Sequence, residues 1–224
     1  MKLVIYINKN KSIKKLAVLE KMHDEISDIA NVEIVITENQ IKDDNITHMN
    51  SADVLIIFAH GGPDKIYHDY TNSVNSNDII IDKTNANIFS NKKVIVFSCY
   101  TARELGPYAV DSENCTCYLG FYDAMYRELK NKKKTPPQVE YFFNSIYSEA
   151  FKNTIVNAIN RKFTFNQIKK YLEIEIRRLL TSQVINCGIN TQRFKASLIP
   201  EITFSASKTI EGIMCFGDDS IPLW

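Results

Sequence analysis

The sequence predicts an α/β protein in which a mainly parallel sheet is flanked by helices. Strand and helix patterns alternate through the first 130 residues, which is typical of α/β folds. Two runs of strand length, Val54–Ala59 and Val94–Phe97, are fully apolar, as expected for parallel strands that are buried on both faces. Apolar residues make up 45% and charged residues 24% of the 224-residue chain, which excludes a disordered or fibrous protein.

The N-terminal third of the chain contains three predicted strands and one predicted helix. Lys2–Ile7 is a short apolar run and predicts the first strand. Val32–Ile36 is rich in β-branched residues and predicts the second, followed by a largely polar stretch that runs to Ser51. Val54–Ala59 predicts the third strand. Between the first two strands, apolar residues recur at steps of three and four and predict a helix: Ile13, Leu16, Leu19, Met22, Ile26 and Ile29.

A hairpin and a further buried strand are predicted next. The third strand ends in His60-Gly61-Gly62-Pro63, a cluster of residues that breaks regular structure. Lys65–Asp82 has two short apolar segments around a polar tip, which predicts a β-hairpin. Lys92–Phe97 predicts another buried strand. Ala102–Val110 then predicts a short helix that Pro107 is expected to bend or interrupt.

The C-terminal part begins after a break in composition. Thr116–Phe121 predicts a fifth strand, and Lys130–Pro137 is basic and ends in two prolines, which indicates a surface loop or an exposed processing or regulatory linker. Apolar stripes from Val139 to Ala150 and from Ile168 to Leu180 predict two helices. The tail from Phe194 to Phe216 predicts a strand pair. We therefore expect a core over residues 1–129, a basic loop over 130–138 and C-terminal elements over 139–224 that complete the same domain.

Composition also indicates which binding partners and which cellular compartment to expect. The net charge is +1, so a dedicated nucleic-acid binder is not expected. No run of 18 or more apolar residues occurs, so no membrane span is expected, and the N-terminus does not resemble a signal peptide. The five cysteines are odd in number and scattered, which favours a reducing cytoplasm. Frequent lysine, asparagine and isoleucine suggest an AT-rich, bacterial genome.

Two of the predicted buried strands end in residues that together could carry out catalysis. One ends in His60-Gly61 and the other in Ser98-Cys99. If the strands are parallel neighbours, His60 and Cys99 emerge at the same sheet edge, roughly 5 Å apart. An imidazole there can accept the thiol proton, which is the minimum equipment for a cysteine nucleophile. The backbone N–H groups of Gly61 and Cys99 are candidates for stabilising an oxyanion, and no metal or organic cofactor is required.

Other kinds of site are less well supported. A single histidine or cysteine after a strand is commonly structural, so the case depends on the pair. Cys115 and Cys117, two apart on a predicted strand, would share one face, but no further ligand lies nearby, so no metal site is expected. Cys99 and Arg103 are spaced Cys-x3-Arg, unlike the Cys-x5-Arg loop of tyrosine phosphatases. No glycine-rich phosphate loop occurs.

Three segments together resemble the caspase-like cysteine peptidases. They are Phe58-Ala59-His60-Gly61-Gly62, then Phe97-Ser98-Cys99-Tyr100-Thr101-Ala102-Arg103-Glu104-Leu105-Gly106 after a hairpin, then Tyr118-Leu119-Gly120-Phe121. In that clan one hydrophobic block ends in His-Gly and the next ends in the nucleophilic cysteine. The segments look most like those of bacterial CHAT-type caspase-like proteins, and the resemblance covers residues 1–125. It implies a caspase-haemoglobinase-like sandwich and a His60–Cys99 dyad that cleaves protein or peptide substrates.

The resemblance also raises a question of substrate specificity. In caspases and metacaspases the residue two before the cysteine is polar or acidic and contributes to the S1 pocket, whereas here it is Phe97. We therefore expect Phe97 to form an apolar wall and to favour a neutral or apolar P1 residue, because an unpaired charge is costly to bury. Asp64 and Asp123 lie in loops and are the alternatives for contacting a basic P1 residue.

The sequence predicts an activity and a mode of activation, and it leaves two alternative functions open. The resemblance implies a cysteine endopeptidase in a bacterial defence or signalling pathway. No sensor segment is recognisable in the sequence, which favours activation by a protein partner or a small ligand. The alternatives are a catalytically silent caspase-like regulatory or binding module, and a flavodoxin-like binding protein whose ligand would lie at the same strand ends.

Overall fold

A computed structural model describes residues 1–8, 25–26, 33–37, 42–69, 78–125, 137–189 and 198–224. Within these residues the chain forms nine strands and five α-helices. The strands are β1 Lys2–Ile7, β2 Glu33–Thr37, β3 Val54–Phe58, β4 His60–Gly62, β5 Lys65–Asp69, β6 Asp78–Asp82, β7 Lys93–Phe97, β8 Cys117–Phe121 and β9 Ile213–Gly217. The helices are α1 Lys42–Asn50, α2 Leu105–Glu113, α3 Pro137–Arg161, α4 Phe165–Ile189 and α5 Ile199–Glu211. A 3₁₀ turn spans Ala86–Phe89.

The predicted α/β class and the mainly parallel sheet are confirmed. Six strands form one sheet in the order β2-β1-β3-β7-β8-β9. The first five are parallel, and β9 runs antiparallel to β8 at the edge. All five residues of β3 are buried. This agrees with its uninterrupted apolar sequence, which is typical of a strand that is covered on both faces.

Alternate residues of the central strands enter two separate cores. Ile56, Phe58 and Phe97 belong to the core that α3, α4 and α5 cover. Leu55 and Val96 belong to the other core, which is covered by α1, α2, the 3₁₀ turn and the β5–β6 hairpin. This period of two follows from the pleat of a β-strand. With both faces covered, the accessible backbone of the sheet lies at its strand ends.

The hairpin forms as predicted and gains a third strand. β5 pairs antiparallel with β6, and the predicted polar tip, residues 71–77, lies outside the described residues. The segment His60–Gly62, predicted to break regular structure, instead pairs antiparallel with β5 as strand β4. This small sheet, β4-β5-β6, leaves the main sheet at the carboxyl end of β3.

Four predicted elements differ from the structure or fall outside it. The predicted C-terminal strand pair is wrong: Ile199–Glu211 is a helix, and β9 pairs with β8. Pro107 does not interrupt α2, because it lies in the first turn, where a backbone N–H has no helical partner in any case. Of the predicted helix Ile13–Ile29, only the helical residues 25–26 are described, and residues 126–136 of the basic loop region lie outside the described residues.

Candidate active site

Two neighbouring parallel strands bring the candidate histidine and cysteine to one edge of the sheet. Phe58 of β3 and Phe97 of β7 are register partners at their strand ends. His60 and Cys99 each follow two residues later and are both half-buried. Adjacent strands are about 4.8 Å apart. The pairing confirms that the two strands are parallel neighbours, and each candidate residue follows its strand by two positions.

Strand β4 is packed directly onto the loop that carries the cysteine. A Cβ built on Gly61 would lie 2.2 Å from Ser98 Oγ and 2.7 Å from the Cys99 carbonyl oxygen. No side chain fits at such distances, so glycine is required here by close backbone approach. The N–H groups of Gly61 and Cys99, the predicted oxyanion donors, therefore belong to two segments in direct contact.

The chain turns sharply immediately after the cysteine. Tyr100 has φ +65°, a left-handed conformation that is uncommon for an aromatic residue. Two backbone hydrogen bonds hold this turn: the Tyr100 N–H donates to the Asp123 carbonyl at 3.3 Å, and the Arg103 N–H donates to the Tyr100 carbonyl at 2.9 Å. A conformation of this kind persists where its surroundings enforce it, as they often do at functional sites.

The side chain of Arg103 joins this turn to the loop that follows β8. Its Nε donates to the Tyr122 carbonyl oxygen at 2.7 Å, and its Nη2 pairs with the Asp123 carboxylate at 2.5 Å. The guanidinium also lies over the rings of Tyr100 and Tyr122, 4.8 and 5.1 Å from their centroids. The hydrogen bond to Asp123 raises the pKa of Arg103. We call this group of four residues the arginine clamp.

The clamped loop also reaches the cysteine sulfur. The backbone N–H of Met125 donates to Cys99 Sγ at 3.3 Å. The sulfur of the candidate nucleophile therefore accepts a hydrogen bond from the backbone. Sequence reasoning missed both features, because a backbone donor leaves no trace in residue identity and the partners of Arg103 lie about 20 positions downstream.

A residue at the end of β1 forms hydrogen bonds to the strand that pairs with the His60 segment. Asn8, just after β1, is 1% exposed, and its Nδ2 donates to the carbonyl oxygens of Tyr67 and His68, both at 2.7 Å. Tyr67 is the register partner of His60 across β4 and β5. Asn8 thus fastens the strand that pairs with the histidine segment. Asn8 was not among the candidate residues, although it directly follows a predicted strand, as His60 and Cys99 follow theirs.

The side chain of Phe97, the expected S1 wall, is buried in the core. Its side chain is 1% exposed, and its ring lies 4.7 Å from that of Phe58 and 4.2 Å from that of Phe151, centroid to centroid. Because side chains alternate along the strand, this ring lies in the core that α3, α4 and α5 cover, away from the strand ends. The apolar S1 wall expected from Phe97, and the P1 preference inferred from it, therefore lose their structural basis.

The two candidate aspartates both have cationic neighbours. Asp64, between β4 and β5, has a carboxylate oxygen 3.4 Å from Lys65 Nζ and a side chain that is 40% exposed. Asp123 is 34% exposed and belongs to the arginine clamp. Neither acid is buried, and Asp123 would have to leave Arg103 before it could pair with a substrate cation.

The cysteines near β8 are arranged differently from the prediction. Cys115 precedes the strand and lies in the core beneath α2, whereas Cys117 lies in the opposite core. The prediction that both thiols share a face is therefore wrong, because the strand pleat begins only at Cys117. Across the described residues, no three His, Cys, Asp or Glu side chains are grouped so that they could hold a metal ion.

Comparison with known proteins does not assign the chain to a family. A scan against models of protein families and a search of curated proteins found no match to the chain. None of the helices in the described part of the chain has the length and apolar character needed to cross a membrane. Beyond the end of β7 lies a half-buried thiol whose sulfur accepts a backbone hydrogen bond. Beyond the end of the neighbouring strand β3 lies the imidazole of His60.

Proposed function

We propose that the chain is a cysteine endopeptidase in which His60 and Cys99 form the catalytic dyad. The observation that supports this most directly is the parallel pairing of β3 with β7, in a register that puts both residues two positions beyond paired phenylalanines. The likeness to caspase-like sequences supports the same assignment, since in that clan a His-Gly block and a Cys block follow one another along the chain. Protein or peptide substrates follow from this chemistry.

The proposed reaction proceeds through an acyl-enzyme. His60 takes the thiol proton of Cys99. The resulting thiolate attacks the scissile carbonyl carbon, and the N–H groups of Gly61 and Cys99 stabilise the oxyanion that forms. His60 gives a proton to the leaving amine as the carbon–nitrogen bond breaks. A water molecule, deprotonated by His60, then attacks the thioester carbon, releases the acid and restores the thiol. No step requires a metal or an organic cofactor.

The proposal includes activation by a partner protein or a small ligand in a bacterial defence or signalling pathway. Support comes from the arginine clamp, which holds the loop of residues 122–125 against the nucleophile. A ligand that displaced Asp123 from Arg103 would move the Met125 N–H relative to Cys99 Sγ. Binding of a ligand at the clamp would therefore change the reactivity of Cys99 Sγ.

The proposal is tested by hydrolysis of a fluorogenic peptide library and of protein substrates. We expect cleavage by the wild-type chain and none by Cys99→Ala. Cys115→Ala is the matched control, because its buried thiol lies in a different core, and it should retain activity. Equal cleavage by the wild type and Cys99→Ala would contradict the proposal. Tight peptide binding without cleavage by either would instead favour the silent regulatory module.

A further inference from the structure

Two cysteines far apart in the sequence lie in contact at the edge of the sheet. Cys117 begins β8 and Cys215 is central in β9, and their Sγ atoms are 3.4 Å apart. In the antiparallel register, Cys117 is opposite Gly217 and Leu119 is opposite Cys215. The two cysteines are therefore diagonal neighbours, and both lie on the sheet face that α3, α4 and α5 cover.

The two thiols differ in exposure and in acidity. Cys117 is fully buried, whereas Cys215 is partly exposed on the edge strand. The hydrogen bond between the sulfurs lowers the pKa of Cys215 and raises that of Cys117. Cys115, two residues away, is also buried, and burial raises its pKa to about 12. Of the three thiols, Cys215 is therefore the one that is partly exposed, and its sulfur has a second thiol in contact.

We propose that Cys117 and Cys215 are a redox modification site that forms a disulfide on reaction with a hydroperoxide. The Cys215 thiolate attacks the peroxide, whose oxygen–oxygen bond breaks to give a sulfenic acid and, after protonation, an alcohol or water. The Cys117 thiol then attacks the sulfenic sulfur and releases water. The two thiols lose two electrons in total, and the peroxide gains them.

Closing this bond requires movement of the sulfurs and of the edge strand that carries Cys215. The sulfurs must approach from 3.4 Å to about 2.05 Å. Among the described strands, β9 has β8 as its single neighbour, so an edge strand can make that movement without displacing another strand. The bond would link residues 98 positions apart and would restrict the unfolded chain accordingly. We expect the oxidised chain to melt higher by at least about 5 °C.

The test uses the full chain carrying Cys99→Ala, so that the proposed nucleophile cannot react and the outcome is independent of peptidase activity. The reduced protein is treated with hydrogen peroxide, the remaining thiols are alkylated, and a non-reducing digest is analysed by mass spectrometry. The expected product is one cross-linked peptide pair that joins Cys117 to Cys215 and lacks two hydrogens. The melting temperature should rise with peroxide and return to its starting value with dithiothreitol.

Two variants and two alternative products make the result decisive. Cys215→Ser should abolish both the cross-link and the dithiothreitol-sensitive rise in melting temperature, whereas Cys115→Ser should leave both unchanged. If Cys215→Ser does not fold, the dithiothreitol reversal in the parent chain reports on the same bond. A cross-link that joins Cys117 or Cys215 to a different cysteine would overturn the proposal. So would peroxide oxidation of Cys215 to a sulfinic acid while Cys117 remained free for alkylation.

Discussion

Gly61 lies directly against Ser98, so closely that a Cβ on Gly61 would stand 2.2 Å from Ser98 Oγ. Ser98 is fully buried, and among the described residues its hydroxyl has no hydrogen-bond partner. The residue after the candidate histidine therefore packs on the residue before the candidate cysteine. The two halves of the proposed dyad are joined through backbone contact, and a change at this point should act on both.

Gly61→Ala should destabilise the fold and lower peptidase activity. Its Cβ would also lie 2.7 Å from the Cys99 carbonyl oxygen and from Thr101 Cγ2, so β4 must move away from the cysteine loop. Overpacking of this kind costs about 1–3 kcal/mol. Urea denaturation measures the loss of stability, and hydrolysis at saturating substrate measures the loss of activity.

Ser98 provides the matched control for that substitution. Ser98→Ala alone should be close to neutral in stability, because it removes a buried hydroxyl that has no partner among the described residues. In combination, Ser98→Gly should restore part of the stability that Gly61→Ala loses, since it removes the nearest of the three clashing atoms. Strict additivity of the two changes would show that they do not share the contact.

Arg103→Gln should lower the reactivity of Cys99 while the chain remains folded. The substitution removes the ion pair with Asp123 and the stacking on Tyr100 and Tyr122. Backbone hydrogen bonds of the two tyrosines remain to hold the loop that carries the Met125 N–H, but without the side-chain contacts this donor should be less firmly placed against the sulfur. We expect a several-fold slower reaction of Cys99 with iodoacetamide at neutral pH. Lys83→Gln is the control, because it breaks an exposed ion pair with Glu104 that does not involve the loop after β8.

Asn8→Ala should weaken both the fold and the proposed catalysis. Without the amide, the carbonyl oxygens of Tyr67 and His68 lose the donor that the structure gives them, at a cost of about 1–3 kcal/mol. Because Tyr67 pairs with His60, the histidine should also be less well placed. Thermal melting and hydrolysis are measured together, with the exposed Asn87→Ala as the control. Full activity in Asn8→Ala would show that Asn8 does not position His60.

Substitutions in the dyad should affect activity far more than stability. Cys99→Ala should abolish hydrolysis, and His60→Ala should lower it roughly 10²–10⁴-fold, the usual contribution of general acid–base catalysis. Melting temperatures should change little, because both side chains are half-buried at strand ends. Near-full activity in His60→Ala would rule out the dyad assignment.

The sequence was most informative where one interaction dominates local structure. The buried strands β3 and β7 were predicted because strands that are covered on both faces need uninterrupted apolar runs, and their shared edge followed from parallel pairing. Helix α1 was missed because only Asn45 and Met49 of its nine residues are buried, which leaves no apolar stripe. The segment Ile199–Glu211 was misread because short apolar runs do not distinguish a strand from a helix.

Within the candidate site, the dyad could be predicted and its supports could not. His60 and Cys99 are marked by residue type at the ends of recognisable strands. The Met125 N–H depends on the path of a loop, and the partners of Arg103 depend on a tertiary contact, so neither has a local signature. For Phe97, the position two before the cysteine indicates a substrate contact by resemblance, whereas the alternation of the strand places its side chain in the core.

Covalent labelling by a peptide-derived electrophile tests the proposed peptidase most directly, because it reports on attack by the cysteine at a substrate-like carbon. The wild-type chain, His60→Ala and Cys99→Ala are incubated with the reagent, with and without candidate activators, and every cysteine-containing peptide is quantified by mass spectrometry. We expect label on Cys99 in preference to the other four cysteines, a much lower yield in His60→Ala and none on residue 99 in Cys99→Ala. Equal labelling of all five cysteines, or Cys99 labelling that is unchanged in His60→Ala, would contradict the proposal.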